Sequence, residues 1–312
     1  MKILFFGTSL ISKIFLENID KKHRVMCVVT KPDKPVGRGN KLTFPAVKQY
    51  AINNNIDYVQ IEKFDDEVFN KLKAYNADAG VVVSYGKLIP ERIFLLPKQK
   101  CFNIHFSKLP QYRGASPVQQ ALIDGQKQTA VTSFFIEKGL DTGDIILQDL
   151  VDIEDNDTSD TLFQKLISCG IGTMNKTLDL MEQNKLVPVK QTGQPSFCSV
   201  FKRENGKVNW NKSATEIKNL FRGLFLWPGI YCEFASGKLQ GKLLKIIDCE
   251  VVNMNSNKEP GSILSIEKNL GFIVQCGKDS LLLKKVQLES KAKMSACDFI
   301  NGYKLTTADK LV

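Results

Sequence analysis

The sequence predicts two unlike domains. Residues 1–187 read as an α/β domain on a mostly parallel sheet, 206–312 as a smaller β-barrel or sandwich, and 188–205 as a linker. Three observations carry this. In the first part, continuous apolar runs alternate with helix-periodic stretches, the order that yields a parallel sheet covered by helices. In the last third, short apolar runs follow one another with turn residues between them, the spacing of a small barrel or sandwich. The stretch between them is polar and holds Pro188, Gly193 and Pro195, the composition of a domain boundary.

The elements follow in order. KILFFG (2–7) is apolar throughout and ends in glycine, as a strand buried on both faces does. SLISKIFLENI reads as a helix with Ser9 as N-cap. HRVMCVVT (23–30) is the second strand. The three prolines and two glycines of KPDKPVGRGNKLTFP (31–45) argue against regular structure there. AVKQYAINN is a helix, DYVQI a short strand, and DEVFNKLKAYN a helix whose acidic start suits the positive end of its dipole. AGVVVSYG (79–86) and KCFNIHF (100–106) are further strands. SPVQQALIDG is a helix, and AVTSFFIE (130–137) and DIILQDLVDI (144–153) form a hairpin-like pair around KGLDTG. Residues 158–183 read as one long helix. Beyond the linker, SATEIKNLFRGL is a helix, and IYCEFA, LLKIIDCEVV, GSILSIE, GFIVQC and SLLLKKVQL are strands.

Composition excludes several functions. No apolar run approaches the roughly 20 residues of a membrane helix, and MKILFFGTS lacks the longer apolar region and small-residue cleavage site of a signal peptide. The eight cysteines form no C-x-x-C pair and sit mostly in apolar segments, as buried thiols of a cytoplasmic protein do. With two histidines, a His-based metal centre is not expected. Net charge is +10, and 206–312 alone carries 16 Lys+Arg against 10 Asp+Glu. A polyanionic partner such as nucleic acid accounts for that excess, and so does simple solubility. No coiled-coil pattern suggests an oligomer, so a monomer is expected.

The chemistry-bearing motifs are also selective. FFGTS has one glycine where a dinucleotide loop needs three, and neither a phosphate-binding P-loop nor a G-x-S-x-G elbow is present. What remains is acid–base and electrostatic. Asn103 and His105 lie two apart on a strand, so both side chains face the same side. His105 closes that strand, where open α/β sheets bind ligands. Asp141 and Asp144 lie on a glycine-flanked loop. An amide, an imidazole and a carboxylate suit acyl transfer by direct attack of an amine, since no nucleophile elbow offers a covalent route. Each residue also fits a structural role, and spacing alone does not choose between Asp141 and Asp144.

The joint pattern N-x-H-x-S-x-L-P-x-x-R-G-x-x-P (103–117), followed by G-L-D-T-G-D (139–144), resembles the folate-dependent formyltransferases. The likeness runs along essentially the whole chain. It implies a Rossmann-like formyltransferase domain and an OB-like C-terminal barrel. It also implies catalytic roles for Asn103, His105 and Asp141. Asn103 and His105 would stabilise a tetrahedral oxyanion, and Asp141 would position and charge the imidazole. The family's folate-contacting S-L-L-P falls on Ser107, Lys108, Leu109 and Pro110, with Lys108 replacing a leucine. The implied formyl donor is 10-formyltetrahydrofolate, with no metal. Residues 28–48, residues 78–90 and the basic C-terminal part narrow the resemblance to members whose acceptor is initiator methionyl-tRNA. By that likeness Lys34, Arg38 and Lys41, on the loop 31–45, contact tRNA, and 206–312 is a tRNA-binding domain. A formyltransferase acting on a small molecule, a formyl-folate hydrolase and an RNA-binding module are the rival expectations.

Overall fold

The apolar run Lys2–Gly7 forms β1, and every further element of the first part is laid down around it. The computed structural model describes residues 1–36 and 41–312. The chain divides into two compact units. One is Met1–Pro117, Gln128–Asp152 and Gln164–Ser199; the other is Val118–Lys127, Ile153–Phe163 and Val200–Val312.

After β1 (Lys2–Gly7) come α1 (Leu10–Asp20) and β2 (Arg24–Thr30), then the short β3 (Lys34–Val36) and β4 (Lys41–Thr43). Next are α2 (Ala46–Asn53), β5 (Tyr58–Gln60), α3 (Asp66–Ala74), β6 (Ala79–Val83), α4 (Glu91–Phe94) and β7 (Cys101–His105). They are followed by β8 (Arg113–Gly114), α5 (Pro117–Ile123), β9 (Gln128–Phe135), β10 (Ile145–Asp152), α6 (Ser159–Glu182) and β11 (Phe197–Cys198). The start of α1 behaves as its sequence demands: Ser9 accepts from Ser12 N–H and Ser12 returns the bond, satisfying two donors that a helix end leaves free.

Seven strands make one sheet in the order β10-β9-β7-β6-β1-β2-β5. From β7 to β5 all neighbours are parallel, whereas β9 and β10 run antiparallel at one side. The parallel strands are the continuous apolar runs: Ile3, Leu4, Phe5, Phe6, Val81 and Phe102 are fully buried. On register, His105 pairs with Thr132 and Phe102 with Phe135. Strand β9 therefore ends beside the beginning of β7, a point that matters for Asp141.

The stretch 31–45 departs from its sequence reading. Lys34–Val36 and Lys41–Thr43 pair as a two-stranded antiparallel ribbon, with Pro35 opposite Leu42. A ribbon of two strands is all edge, and an edge tolerates the missing proline N–H that a central strand does not.

In the second unit, Ser213 and Glu216 form a reciprocal cap on α7 (Ala214–Gly223). Strands β12 (Ile230–Glu233), β13 (Leu243–Val252), β14 (Ile263–Glu267), β15 (Gly271–Gln275) and β16 (Ser280–Leu288) form an antiparallel sheet in the order β12-β13-β16-β15-β14, with β17 (Met294–Ser295) on β16. Leu311 bridges to Phe234 and Lys310 to Ser262, so the last residues join the two ends of that sheet. Helix α8 (Ala296–Tyr303), which is not among the elements expected from the sequence, inserts Phe299 between Phe234 and Phe272, at ring centroids 6.1 and 6.5 Å away. Full burial of such a ring contributes about 2–3 kcal/mol, enough to hold so short a helix in place.

Candidate active site

The site is built at the end of β7. Asn103 and His105 are two residues apart on this strand and so project from the same face of the sheet. Ile104 between them faces the other way and is buried. His105 is buried, and its ring meets that of Phe134 edge-on at 6.3 Å. The Asn103 side chain is half-buried and has no hydrogen-bond partner among the described residues.

The orientation of His105 follows from one contact. Its Nε2 lies 3.0 Å from the carbonyl oxygen of Tyr112. A carbonyl only accepts, so Nε2 carries the proton, and in the neutral ring Nδ1 is bare. That bare nitrogen stands 3.8 Å from Asp141 Oδ2. The separation is longer than a hydrogen bond. A proton reaching Nδ1 would there be met by a negative charge in a site where both side chains are largely shielded from water.

Asp141 reaches His105 from an unexpected direction. The loop 136–144 leaves β9 beside Phe102, three residues upstream of His105, so it must run back by about 10 Å along β7. Asp141 itself adopts a left-handed backbone at φ 51°, a conformation that aspartate tolerates. At Gly143 a Cβ would lie 1.7 Å from the Phe135 carbonyl, so only glycine fits. Asp141 Oδ2 accepts the Gly114 N–H at 2.8 Å, which aims the carboxylate. Asp144 lends its backbone carbonyl to the Phe135 N–H, and its side chain is not paired with His105.

The turn Ser107–Gln111 forms a wall next to the histidine. Ser107 is fully buried, donates to the Gln111 carbonyl at 2.6 Å and accepts at its own carbonyl from Thr132 Oγ1 at 2.6 Å. Gln148 Nε2 donates to the Leu109 carbonyl at 3.1 Å. Leu109 is buried, Pro110 half-buried and Lys108 exposed, so the residue that departs from the motif is the one whose side chain lies in solvent. Lys108, Leu109 and Pro110 line a cleft of about 360 Å³ with Gln111, Ile145 and Gln148. Asn103, His105 and Asp141 are not among its lining residues.

Sequence reasoning missed several contributors. Tyr112 acts through its backbone and Gln148 through the turn. Gln191, in the stretch read as a linker, donates to the carbonyls of Asp141 (2.8 Å) and Gly143 (2.9 Å). Val189 pairs with Ile145, and Phe197–Cys198 pair with Arg113–Gly114. Residues 189–198 are therefore part of the site's frame. The other histidine is accounted for elsewhere: His23 lies against the N-terminal amine, and burial first, then that amine, hold its pKa below the ordinary value.

The basic loop is only partly described. Lys34 lies exposed on β3 and Lys41 falls on β4, whereas Arg38 lies outside the described residues. Burial lowers the Lys31 pKa, with Lys34 and Lys87 adding to the effect, so these cations lie near one another. Lys48 points inward instead: it is buried, donates to Asp33 (2.6 Å) and Gln60 (2.9 Å), and stands 4.0 Å over the Phe44 ring. Its hydrogen bond is the main reason that the Asp33 pKa is lowered. Among the described residues no cluster of His, Cys, Asp or Glu could hold a metal ion, and no helix is long and apolar enough to cross a membrane.

Comparison with known proteins places the chain in a family. Residues 1–177 match the family described as formyl transferase, and residues 201–304 match its C-terminal domain. A methionyl-tRNA formyltransferase of Endomicrobium trichonymphae is 51% identical over 99% of this chain and all of its own length. One from Caldicellulosiruptor saccharolyticus is 40% identical over the whole of both chains. Among solved structures, an N-formyltransferase from Helicobacter canadensis in complex with folinic acid and dTDP-3-aminofucose shares the fold. Its TM-score is 0.67 at 24% identity, over 91% of this chain and 98% of that one. A methionyl-tRNA formyltransferase from Clostridium thermocellum gives 0.53 at 20% identity, over 81% and 94%.

Proposed function

This chain belongs to the formyl transferase family, and on that premise we propose that it transfers the formyl group of 10-formyltetrahydrofolate to the α-amine of methionine on initiator methionyl-tRNA. The acceptor is supported by whole-length identity with relatives named methionyl-tRNA formyltransferase. The chemistry rests on one observation: the Tyr112 carbonyl holds the proton on His105 Nε2, which leaves Nδ1 free beside the Asp141 carboxylate.

The roles follow from that arrangement. The folate supplies the activated formyl group. Asn103, whose amide has no partner to give up, donates to the formyl oxygen as negative charge develops there. His105, protonated at Nδ1, adds a second donor and a positive charge that Asp141 supports; as the methionine N–C bond forms and the formyl C–N10 bond of the folate breaks, the proton lost by the amine is passed to N10. The turn Ser107, Lys108, Leu109, Pro110 borders the donor. Its cleft offers apolar walls from Leu109, Pro110 and Ile145 with the amides of Gln111 and Gln148, a lining that suits a flat heterocycle edged with polar atoms. Lys34, Arg38 and Lys41 meet the acceptor stem, and the +6 stretch 206–312 meets the body of the tRNA. We assign donor binding to 1–187 and tRNA binding to 206–312, joined through 188–205, in a cytoplasmic monomer.

The test is a formyl-transfer assay on methionyl initiator tRNA, on a non-initiator methionyl-tRNA and on free methionine. Transfer to the first far exceeds the other two on this reading. Equal rates on all three would overturn the tRNA acceptor and leave the formyl chemistry standing.

A further inference from the structure

We propose that Gln191 is a positioning residue for the reaction, holding Asp141 in line with His105, and that the segment 189–198 is thereby an integral part of the catalytic site. The inference rests on the reading of Asp141 as the carboxylate that serves His105.

The Gln191 side chain makes four polar contacts. Nε2 donates to the carbonyls of Asp141 and Gly143, at 2.8 and 2.9 Å. Oε1 accepts from Arg113 Nε and Nη2, at 3.2 and 2.7 Å. Chemistry fixes which end is which, because a guanidinium only donates and a carbonyl only accepts. A flipped amide would turn all four contacts repulsive. The position therefore needs one group that gives two hydrogen bonds and takes two. Glutamate cannot donate, lysine cannot accept, and asparagine is a carbon shorter.

The rest of the segment holds the backbone of 112–115, which carries the groups that touch His105 and the Asp141 carboxylate. The Ser196 carbonyl accepts from Arg113 N–H at 2.9 Å, Ser196 Oγ accepts from Tyr112 N–H at 2.8 Å, and the Cys198 carbonyl accepts from Ala115 N–H at 3.1 Å. These bonds fix Tyr112, whose carbonyl orients His105, and Gly114, whose N–H aims Asp141. At Gly114, φ is 119°, and a Cβ would lie 2.2 Å from the Cys198 carbonyl, so the strand pairing is close enough to require glycine. One short segment thus sets the backbone on both sides of the His105–Asp141 pair. Gln191 is its only side chain seen to bond to the Asp141 loop among the described residues.

A double-mutant cycle with a separate exchange measurement tests this. Gln191→Met keeps the length and removes all four contacts; Gln191→Glu keeps the acceptor for Arg113 and removes the two donors. Both lower kcat by roughly 10- to 100-fold, the range that losing the two bonds to the Asp141 loop, common to both variants, allows, while KM for both substrates stays within about twofold. In an Asp141→Ala background the further loss from Gln191→Met falls below about twofold, because the residue it positions is gone. Near wild-type turnover by Gln191→Glu, or a full loss repeated in the Asp141→Ala background, would overturn the proposal. Hydrogen exchange decides it without any substrate: peptides covering 111–116 and 136–144 exchange at least about tenfold faster in Gln191→Met. Unchanged exchange there sinks the positioning role. An inactive wild-type enzyme would instead sink the proposed function and leave the exchange result to decide this one.

Discussion

Replacing Asp141 with asparagine separates geometry from charge. Asparagine keeps an oxygen to accept the Gly114 N–H, and the backbone carbonyl still receives Gln191, so the loop keeps its shape. What disappears is a negative charge 3.8 Å from His105 Nδ1. Unit charges at that distance interact by about 4 kcal/mol at an effective dielectric near 20. The Asp141 side chain keeps 16% of its exposure, and screening by that water brings the loss to about 2–3 kcal/mol. At about 1.4 kcal/mol per decade, kcat falls about 30- to 150-fold, with KM for tRNA little changed. Single-turnover formylation under saturating donor reads this directly, and melting temperature checks that the fold is intact. A variant that melts normally and keeps kcat within about threefold of wild type would refute the electrostatic role of Asp141.

Three further outcomes follow from particular contacts. Asn103→Ala costs about 100- to 1,000-fold in kcat, the size of one lost oxyanion donor, yet leaves melting within about 1 °C because that amide has no hydrogen bond to lose; a large drop in melting temperature would mark Asn103 as structural. Lys34→Ala with Lys41→Ala weakens tRNA binding and flattens its dependence on log salt by about 1.5, at roughly 0.7–0.9 per phosphate contact removed, whereas an unchanged slope places the tRNA elsewhere. Glu216 is pulled down to about 2, first by the Ser213 N–H, then by its hydroxyl and by Lys212. Because its folded value lies below the ordinary 4.5, the cap stabilises fully above that pH and is lost as pH falls from 4.5 towards 2. Glu216→Ala therefore lowers stability by about 1 kcal/mol at pH 7, and thermal melts of variant and wild type should converge towards pH 2; a constant gap contradicts this account of the cap.

How much of this was legible in the sequence depends on where each residue's partner lies. The strands of the main sheet were readable because burial on both faces leaves an unbroken apolar run, as in KILFFG and AGVVVS. Asn103 and His105 could be put on one face because a strand repeats every two residues. The β3–β4 ribbon was hidden because its one proline, Pro35, lies where an edge tolerates it; α8 was legible, since Ala296, Phe299, Ile300 and Tyr303 stand at helical spacing, but it is absent from the elements expected from the sequence. The site divides in the same way. His105 announces itself by type and Asp141 by a glycine-flanked loop. The atom that fixes the tautomer, however, is the Tyr112 carbonyl, and every residue has one of those. Gln191 is equally silent, since its value lies in two donors and two acceptors that come together only when 113, 141, 143 and 191 meet in space. Local pattern therefore names the groups that do chemistry, while the groups that aim them belong to tertiary pairing. A polar stretch between two apolar domains is where composition is least able to tell a spacer from a clamp, because a clamp that works by hydrogen bonds at the surface has the same polar makeup.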